Sequence, residues 1–176
     1  MSVILRKLEP GDIVTRFRLG HEDFKLLKKF LKKDAKKYHA ENLTKTWVLV
    51  EENQSHPVVL GYISLICSHI DIDPSNGHAV PGYEYKAYPC VKIARLAIHQ
   101  DHQKKGYGIA LVEFSISITK EVIMDNIGCR FLVVDSKPKA IDFYKSRGFT
   151  LFETTEEKTE TTSSLMFMDL TKIHLP

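Results

Sequence analysis

The stretch ARLAIHQDHQKKGYGIALVEFSI, from Ala94 to Ile116, joins two apolar segments through a polar loop that contains two glycines. The apolar and β-branched residues of Cys90–Gln100 predict a buried strand. Apolar residues then recur at helical spacing over Ile109–Asp125. The stretch therefore predicts a strand–loop–helix unit in which His102–Gly108 is the loop.

This loop has the chemistry of an anion site. A helix N-terminus presents unpaired backbone N–H groups and a partial positive charge. Gly106 and Gly108 would let the backbone approach a phosphate, and Lys104 and Lys105 add positive charge. The loop lacks the Gly-Lys-Ser/Thr ending of a P-loop, and one Gly-x-Gly pair is not the dinucleotide fingerprint. Taken alone, it is also compatible with a polar turn before a helix.

The rest of the chain supplies further strands and two more helices. Pro10-Gly11 is a turn signal, apolar spacing predicts the first helix, and Gly148 stands at the usual C-cap position of the last one. The predicted order is strand Ser2–Leu8, helix His21–Ala40, strands Thr46–Glu52, His56–Ile70 and Cys90–Gln100, helix Ile109–Asp125, strand Cys129–Ser136, helix Lys139–Arg147, and strands Phe149–Glu153 and Ser163–Leu170. Asp71–Pro89 is predicted as a long loop and Thr154–Ser163 as a mobile hairpin loop. This order indicates one α/β (α+β) sheet with mixed strand directions.

The composition is that of an ordinary soluble globular protein, with 43% hydrophobic and 27% charged residues in a chain of 176. Residues 1–176 are predicted to form a single domain. The net charge of +3 is compatible with an anionic partner but does not require one. Three widely spaced cysteines predict reduced thiols in a cytoplasmic protein. The N-terminus lacks a signal-peptide core, and no stretch is long enough to cross a membrane.

Two landmarks resemble those of the GNAT acetyltransferases. In that family a strand leads to a (Gln/Arg)-x-x-Gly-x-(Gly/Ala) turn that binds the pyrophosphate of acetyl-coenzyme A. Gln103, Gly106 and Gly108 fill its three defined positions. AIDFYKSRGF, Ala140–Phe149, resembles the second landmark, a helix ending in Phe-Tyr-x-x-x-Gly-Phe. The resemblance implies a mostly antiparallel mixed sheet flanked by helices, with acetyl-coenzyme A as cosubstrate.

The layout resembles a subgroup of that family, the acetyltransferase toxins of toxin–antitoxin pairs. The matching segments are the first helix with the strand that follows it, then GYISL, ARLAI, VVDSKPKAIDFYKSRGF and LMFMDL. Those toxins acetylate the amino group of aminoacyl-tRNA and stop translation. The resemblance thus implies aminoacyl-tRNA as substrate, a cognate antitoxin and a homodimer.

The resemblance also implies roles for individual residues. Tyr144 is predicted as the general acid, since a phenol with a pKa near 10 is protonated at pH 7; packing in the core is the alternative. No general base stands out, and Glu84 and Asp135 are the acids considered, against a role as loop or strand-end acids. The predicted cofactor-binding residues are Leu96, Ala97, Ile98, Gln103, Lys104, Lys105, Gly106, Tyr107, Gly108, Asp135 and Phe143. Leu96–Ile98 would bind the pantetheine arm, and Gln103–Gly108 the pyrophosphate.

The polar face of the predicted first helix is strongly basic, because Asp34 is the only acid in Lys25–Lys37. Such a face can follow an RNA backbone, where each phosphate contact adds affinity and salt sensitivity. A solvated helix face is the alternative. The lysines on or beside this face are Lys25, Lys28, Lys29, Lys32, Lys33, Lys36 and Lys37. The residues predicted to bind substrate are Lys29, Lys32, Lys33, Lys36 and Arg95.

No metal site is predicted. His99 and His102 lie on a loop without further ligands nearby in sequence. The sequence therefore favours an acetyl-coenzyme A-dependent N-acetyltransferase that acts as a toxin on aminoacyl-tRNA. The alternatives are an acetyltransferase for a protein or small-molecule amine, and a module that binds acyl-coenzyme A or RNA without turnover.

Overall fold

The computed structural model describes residues 2–52, 56–73, 77–152 and 163–173. Apart from Ser163, the predicted hairpin loop Thr154–Ser163 lies outside these residues. Within them, seven strands form one sheet in the order β1-β2-β3-β4-β5-β7-β6. The strands are β1 Val3–Lys7, β2 Lys45–Glu51, β3 Val59–Asp71, β4 Ala87–Ile98, β5 Phe131–Ser136, β6 Thr150–Leu151 and β7 Ser164–Asp169.

The strand directions confirm the predicted mixed, mostly antiparallel sheet. The pairs β1–β2, β2–β3, β5–β7 and β6–β7 are antiparallel, and β4–β5 is parallel. The described α-helices are α1 Lys25–Lys33, α2 Ala35–Ala40, α3 Tyr107–Ser117 and α4 Ile141–Lys145. A π-helical turn, Ile118–Ile123, continues α3.

The prediction of one helix over His21–Ala40 is wrong in detail. The chain begins with a 3-10 turn at Glu22–Phe24, and α1 and α2 are separated at Asp34, whose φ of −114° departs from helical geometry. The Asp34 N–H still donates to the Phe30 carbonyl, 2.8 Å away. The axis is therefore interrupted at a residue whose side chain favours caps and turns over helix interiors.

The predicted long loop Asp71–Pro89 is shorter in the structure, because β3 extends through Asp71 and β4 begins at Ala87. At the start of β4, exposed Ala87 and Pro89 alternate with buried Tyr88 and Cys90. That alternation is the pattern of a half-buried strand. The turn-forming residues before it had obscured this pattern in the sequence.

The chain forms two compact units, residues 1–66 with 94–113 and residues 67–93 with 114–176. In the first unit, Phe30 and Leu31 of α1 share a core with apolar side chains of β2 and β3. The Tyr62 hydroxyl donates to the Leu27 carbonyl in α1, 2.8 Å away, so the buried phenol is satisfied. These contacts hold α1 against the strands of its unit.

In the second unit, the core combines side chains of β3, β4, β5 and β7. Cys90, Phe131 and Phe167 are buried in this cluster. Burial raises the pKa of the Cys90 thiol to about 12. In the part of the chain that is described, no helix combines the length and apolar character that a membrane span needs.

Candidate active site

The predicted pyrophosphate loop belongs to the first unit. After β4, a 3-10 turn at Gln100–His102 leads into the loop, and α3 begins at Tyr107. The Gln103 side chain folds back, since its Nε2 donates to the Ile98 carbonyl, 3.3 Å away. The Ala110 N–H donates to the Gly106 carbonyl at 3.0 Å. Gly106 therefore stands directly before the first turn of α3.

Two loop residues have left-handed backbone conformations, Lys104 with φ of 60° and Gly106 with φ of 82°. Successive backbone N–H groups in a turn can form a concave anion site. A Cβ added to Gly106 would have no atom within 4 Å. The positive φ, rather than crowding, thus favours glycine here, and the space beside its Cα is open. This geometry fits a pyrophosphate held by backbone N–H groups.

His99 and His102 lie at the turn that leads into the loop, where other protein groups surround them. His99 is buried, its Nδ1 accepts from the Asp101 N–H at 3.3 Å, and its Nε2 lies 3.3 Å from the Arg16 carbonyl oxygen. Burial, followed by the charge of Lys105, lowers the pKa of His102, which favours a neutral ring at pH 7. Among the described residues, no group of three or more His, Cys, Asp or Glu side chains could hold a metal ion.

The predicted pantetheine segment is the end of β4. The parallel register with β5 runs from Cys90↔Phe131 to Ile93↔Val134, and β4 continues to Ile98. Gly61 of β3 packs closely against this end, because a Cβ there would lie 2.6 Å from Ile98 Cδ1. Gly61 was not among the predicted site residues. A glycine inside a strand is the signal that indicates such a close approach.

The predicted general acid belongs to the second unit. A 3-10 turn at Pro138–Ala140 precedes α4, and Gly148, with φ of 89°, follows its end. The Tyr144 ring is 6% exposed and packs edge-on against Phe143 and Phe149, with centroid distances of 5.1 and 5.4 Å.

The protonation of Tyr144 follows from this packing. Burial raises the pKa of the phenol above its ordinary value. Within the described part of the chain, its hydroxyl has no hydrogen-bond partner. The ring is thus fixed by packing, and the oxygen keeps its proton at neutral pH.

The other candidate acids, Asp135 and Glu84, are more exposed than Tyr144. Asp135 Oδ2 lies 2.6 Å from Lys92 Nζ, and the two side chains are 48% and 26% exposed. Glu84 is exposed in the segment before β4. Phe143, the remaining cofactor-binding prediction, is half-buried beside Tyr144. Lys92 was not predicted, because a contact between two strands leaves no local signal in the sequence.

A family model for the acetyltransferase (GNAT) domain matches residues 42–151, which include both landmarks. The chain belongs to the GNAT acetyltransferase family. It is therefore an acetyltransferase that uses acetyl-coenzyme A, whose pyrophosphate the loop geometry fits. No curated protein sequence matched the chain.

Solved structures with the same fold include toxins. One is "AtaTR bound with AcCoA", at 25% identity, with a TM-score of 0.77 and coverage of 96% of this chain and 94% of that one. A tyrosine-to-phenylalanine mutant of the AtaT toxin, bound to the C-terminus of the antitoxin AtaR and acetyl-CoA, has 22% identity, a TM-score of 0.75 and coverages of 96% and 94%. AtaT complexed with acetyl-methionyl-tRNAfMet has 24% identity, a TM-score of 0.79 and coverages of 97% and 96%.

The lysine face of this acetyltransferase has few acidic neighbours. Lys29 and Lys33 are exposed, and Lys32 is half-buried. Among the described residues, no carboxylate lies within 4.0 Å of these three ammonium groups. Lys25, at the start of α1, is 4.0 Å from Glu22. Positive charge is therefore concentrated along α1.

Lys36 differs from these lysines because its ammonium group contacts backbone carbonyls, and its predicted contact with substrate stays a prediction. Its Nζ donates to the carbonyls of Pro10 and Asp12, 2.6 and 2.8 Å away. The Asp12 carboxylate is buried and accepts two hydrogen bonds from Arg6, at 2.6 and 3.0 Å. Lys36 therefore holds the segment after β1 against α2, a contact between distant parts of the chain.

Arg95 also contacts α1. Its guanidinium carbon lies 5.1 Å from the centre of the Phe30 ring, and Nη1 donates to the Ala94 carbonyl at 2.7 Å. A guanidinium above an aromatic ring is attracted by the ring quadrupole. Arg95 thus links β4 to α1, and its predicted contact with substrate stays a prediction.

Proposed function

We propose that this acetyltransferase transfers an acetyl group from acetyl-coenzyme A to the amino group of aminoacyl-tRNA, and that it acts as a toxin by blocking translation. The lysine face of α1 carries the proposal, because it accounts for an RNA substrate rather than a small amine. The likeness in fold to AtaT, seen with acetyl-methionyl-tRNAfMet, is consistent with it.

The charge distribution favours a polyanionic partner over a merely solvated face. Lys25 and Lys29, like Lys29 and Lys33, are four residues apart on one side of α1. Like charges at this spacing destabilise a helix by about 0.2–0.5 kcal/mol per pair. Solvated helix faces commonly interleave acids, whereas here Asp34 is the only one in Lys25–Lys37. A phosphate backbone would relieve this repulsion.

The chain's own residues supply the remaining requirements. Acetyl-coenzyme A, when bound, supplies an activated acetyl thioester. The N–H groups of Gln103–Gly108 hold its pyrophosphate, and the end of β4, Leu96–Ile98, aligns the pantetheine arm. Tyr144 donates its proton to the leaving thiolate. Its buried ring supports this role, as does a hydroxyl with no partner among the described residues.

Deprotonation of the amine needs no strong base in this proposal. The ammonium group of an aminoacyl ester is more acidic than that of an ordinary amine, so water can accept its proton. Asp135 is already paired with Lys92, and Glu84 lies exposed. Neither is assigned a step.

The test is transfer of label from radiolabelled acetyl-coenzyme A to charged tRNA, with uncharged tRNA as the control. Label is expected only on charged tRNA, and Tyr144→Phe should abolish the transfer. If tRNA stays unlabelled while thiol is released with peptides or small amines, the substrate is a protein or small-molecule amine. If the wild-type chain binds coenzyme A but shows no transfer, and Tyr144→Phe behaves in the same way, the protein is a binding module.

The lysine face gives a second measurement. The double variant Lys29→Gln/Lys33→Gln should raise KM for charged tRNA at low salt and leave KM for acetyl-coenzyme A unchanged. The logarithm of the association constant for charged tRNA falls linearly with the logarithm of the salt concentration. The slope of this line should become shallower by about 0.9 for each phosphate that the variant no longer neutralises. The matched control is Lys172→Gln, a 70% exposed lysine of the second unit. An unchanged slope would argue against contact between α1 and RNA.

The toxin role implies growth arrest on expression, relieved by Tyr144→Phe and by co-expression of a cognate antitoxin. We also propose that the chain binds a cognate antitoxin and forms a homodimer. Both proposals rest on its likeness to the toxin subgroup. Sedimentation equilibrium measures the oligomeric state.

A further inference from the structure

The segment before β4 exposes two aromatic rings of the second unit. Tyr85 is 71% exposed and Tyr83 40% exposed, whereas Tyr88, at the start of β4, is buried. Neither exposed ring has a role in the chemistry proposed above. Two neighbouring exposed tyrosines in one short segment are a candidate contact surface.

Hydrogen bonds fix the conformation of this segment. The Tyr83 N–H donates to the Val80 carbonyl at 3.1 Å, which closes a turn with Pro81 and Gly82 at its centre. Gly82 has φ of 78°, as the third position of a type II turn requires. The Val80 N–H donates to the Tyr88 hydroxyl at 2.9 Å. The turn that carries Tyr83 is therefore tied to β4.

Ring contacts continue from the surface into the core. The ring centroids of Tyr85 and Tyr83 are 5.5 Å apart, and those of Tyr83 and Tyr88 are 4.7 Å apart. Tyr88 then packs edge-on against Phe131, with a centroid distance of 5.7 Å. The exposed rings are thus braced by buried ones. A ligand that stacks on them meets side chains that are already ordered, which lowers the entropic cost of binding.

The chemistry of the surface favours a flat, uncharged ligand group. Glu84 and Lys86, both exposed, contribute opposite charges beside the rings, so the segment has no net charge for a phosphate to bind. The Tyr83 and Tyr85 ring planes meet at 58°, so they offer separate faces rather than a groove for an amphipathic helix. Proteins that bind single strands combine exposed aromatic faces, on which unpaired bases stack, with a basic surface that follows the backbone.

We propose that Tyr83 and Tyr85 form a stacking platform for unpaired bases of the RNA substrate. The inference rests on the proposed function, because the acceptor end of aminoacyl-tRNA, to which the amino acid is attached, is single-stranded. The lysine face would bind phosphates, and the tyrosine platform would bind bases. Affinity from the lysine face should therefore fall as salt rises, whereas affinity from the tyrosine platform should persist at high salt.

Binding, measured without acetyl transfer, tests the platform. Fluorescence anisotropy follows a labelled oligoribonucleotide that ends in CCA, and a fully paired RNA duplex of equal length, with the wild-type chain and its variants. Tyr85→Ala is expected to weaken binding of the single strand by about tenfold, as loss of one stacked base would. Tyr85→Phe should bind as the wild type does, and duplex binding should not change. Tyr38→Ala, which removes an exposed tyrosine of the first unit, is the matched control.

Three results would overturn the platform: equal binding by Tyr85→Ala and wild type, equal losses on single strand and duplex, or no binding of the single strand by the wild type. Loss of dimerisation or of antitoxin binding in Tyr85→Ala, with RNA binding intact, would assign the rings to a protein partner instead. These outcomes do not depend on whether charged tRNA is acetylated. Failure of the platform and failure of the proposed reaction are therefore distinguishable.

Discussion

The loop Gln103–Gly108 and the segment Phe143–Phe149 carry their predicted chemistry in different ways. In the loop the backbone provides the binding groups, with left-handed conformations at Lys104 and Gly106 and side chains largely in solvent. In the second segment the chemistry rests on one oxygen, on a Tyr144 ring that buried aromatic neighbours hold. The loop should therefore tolerate most side-chain changes, whereas the second segment should not tolerate loss of a single atom.

The largest effect is expected from removal of that oxygen. Tyr144→Phe should lower kcat by about 10²–10⁴-fold, the range of general acid–base catalysis. Binding of acetyl-coenzyme A and Tm should change little, because the ring packing is retained and the hydroxyl has no hydrogen bond to the described residues. Steady-state kinetics and calorimetric titration measure the two quantities. A parallel rise in Kd would show that Tyr144 holds the cofactor rather than donates a proton.

A smaller effect is expected at Gly106, the loop glycine with a positive φ. Gly106→Ala places a non-glycine residue at φ of 82°, a conformation that costs about 1–2 kcal/mol. Kd for acetyl-coenzyme A should rise about tenfold, with kcat at saturation unchanged. Gly11→Ala, at an open position without positive φ, is the control and should be neutral. Equal effects of the two changes would mean that the loop conformation does not matter for binding.

The loop lysines should matter less. Lys104 and Lys105 are exposed, and interactions between exposed charges are worth about 0.2–1 kcal/mol each. Lys105→Gln should therefore weaken binding of coenzyme A by a few-fold at low ionic strength, and the difference should shrink as salt screens the charge. Titrations at two salt concentrations measure this. A large loss that persists at high salt would assign a direct, partly buried contact to the side chain.

The smallest signal is expected from pH. Burial raises the pKa of Tyr144, so its phenol stays protonated as the pH approaches the ordinary tyrosine value of about 10. Because the unfolded phenol ionises near this ordinary value while the folded one keeps its proton, the free energy of unfolding falls as pH rises from there towards the raised folded pKa. Ultraviolet titration of wild type against Tyr144→Phe should show no phenolate difference below about pH 10. An earlier difference would mean that the ring is not buried in solution.

Local patterns were enough for the order of elements, the mixed sheet and the position of the loop before α3. Runs of apolar residues, turn-forming residues and glycines act over short distances along the chain. The ends of the elements depend on partners elsewhere in the chain, which local patterns do not contain. The extension of β4 to Ala87 and the interruption at Asp34 became visible only in the structure.

What the sequence by itself determined about this protein is its family and the two segments that carry the predicted chemistry, because both are contiguous motifs. Only the tertiary structure decided which contacts the other predicted residues make. It showed that Lys36 bonds the carbonyls of Pro10 and Asp12, and that Arg95 lies on Phe30. Such contacts join residues far apart in the chain, and their partners are brought together by burial of apolar surface rather than by any local preference.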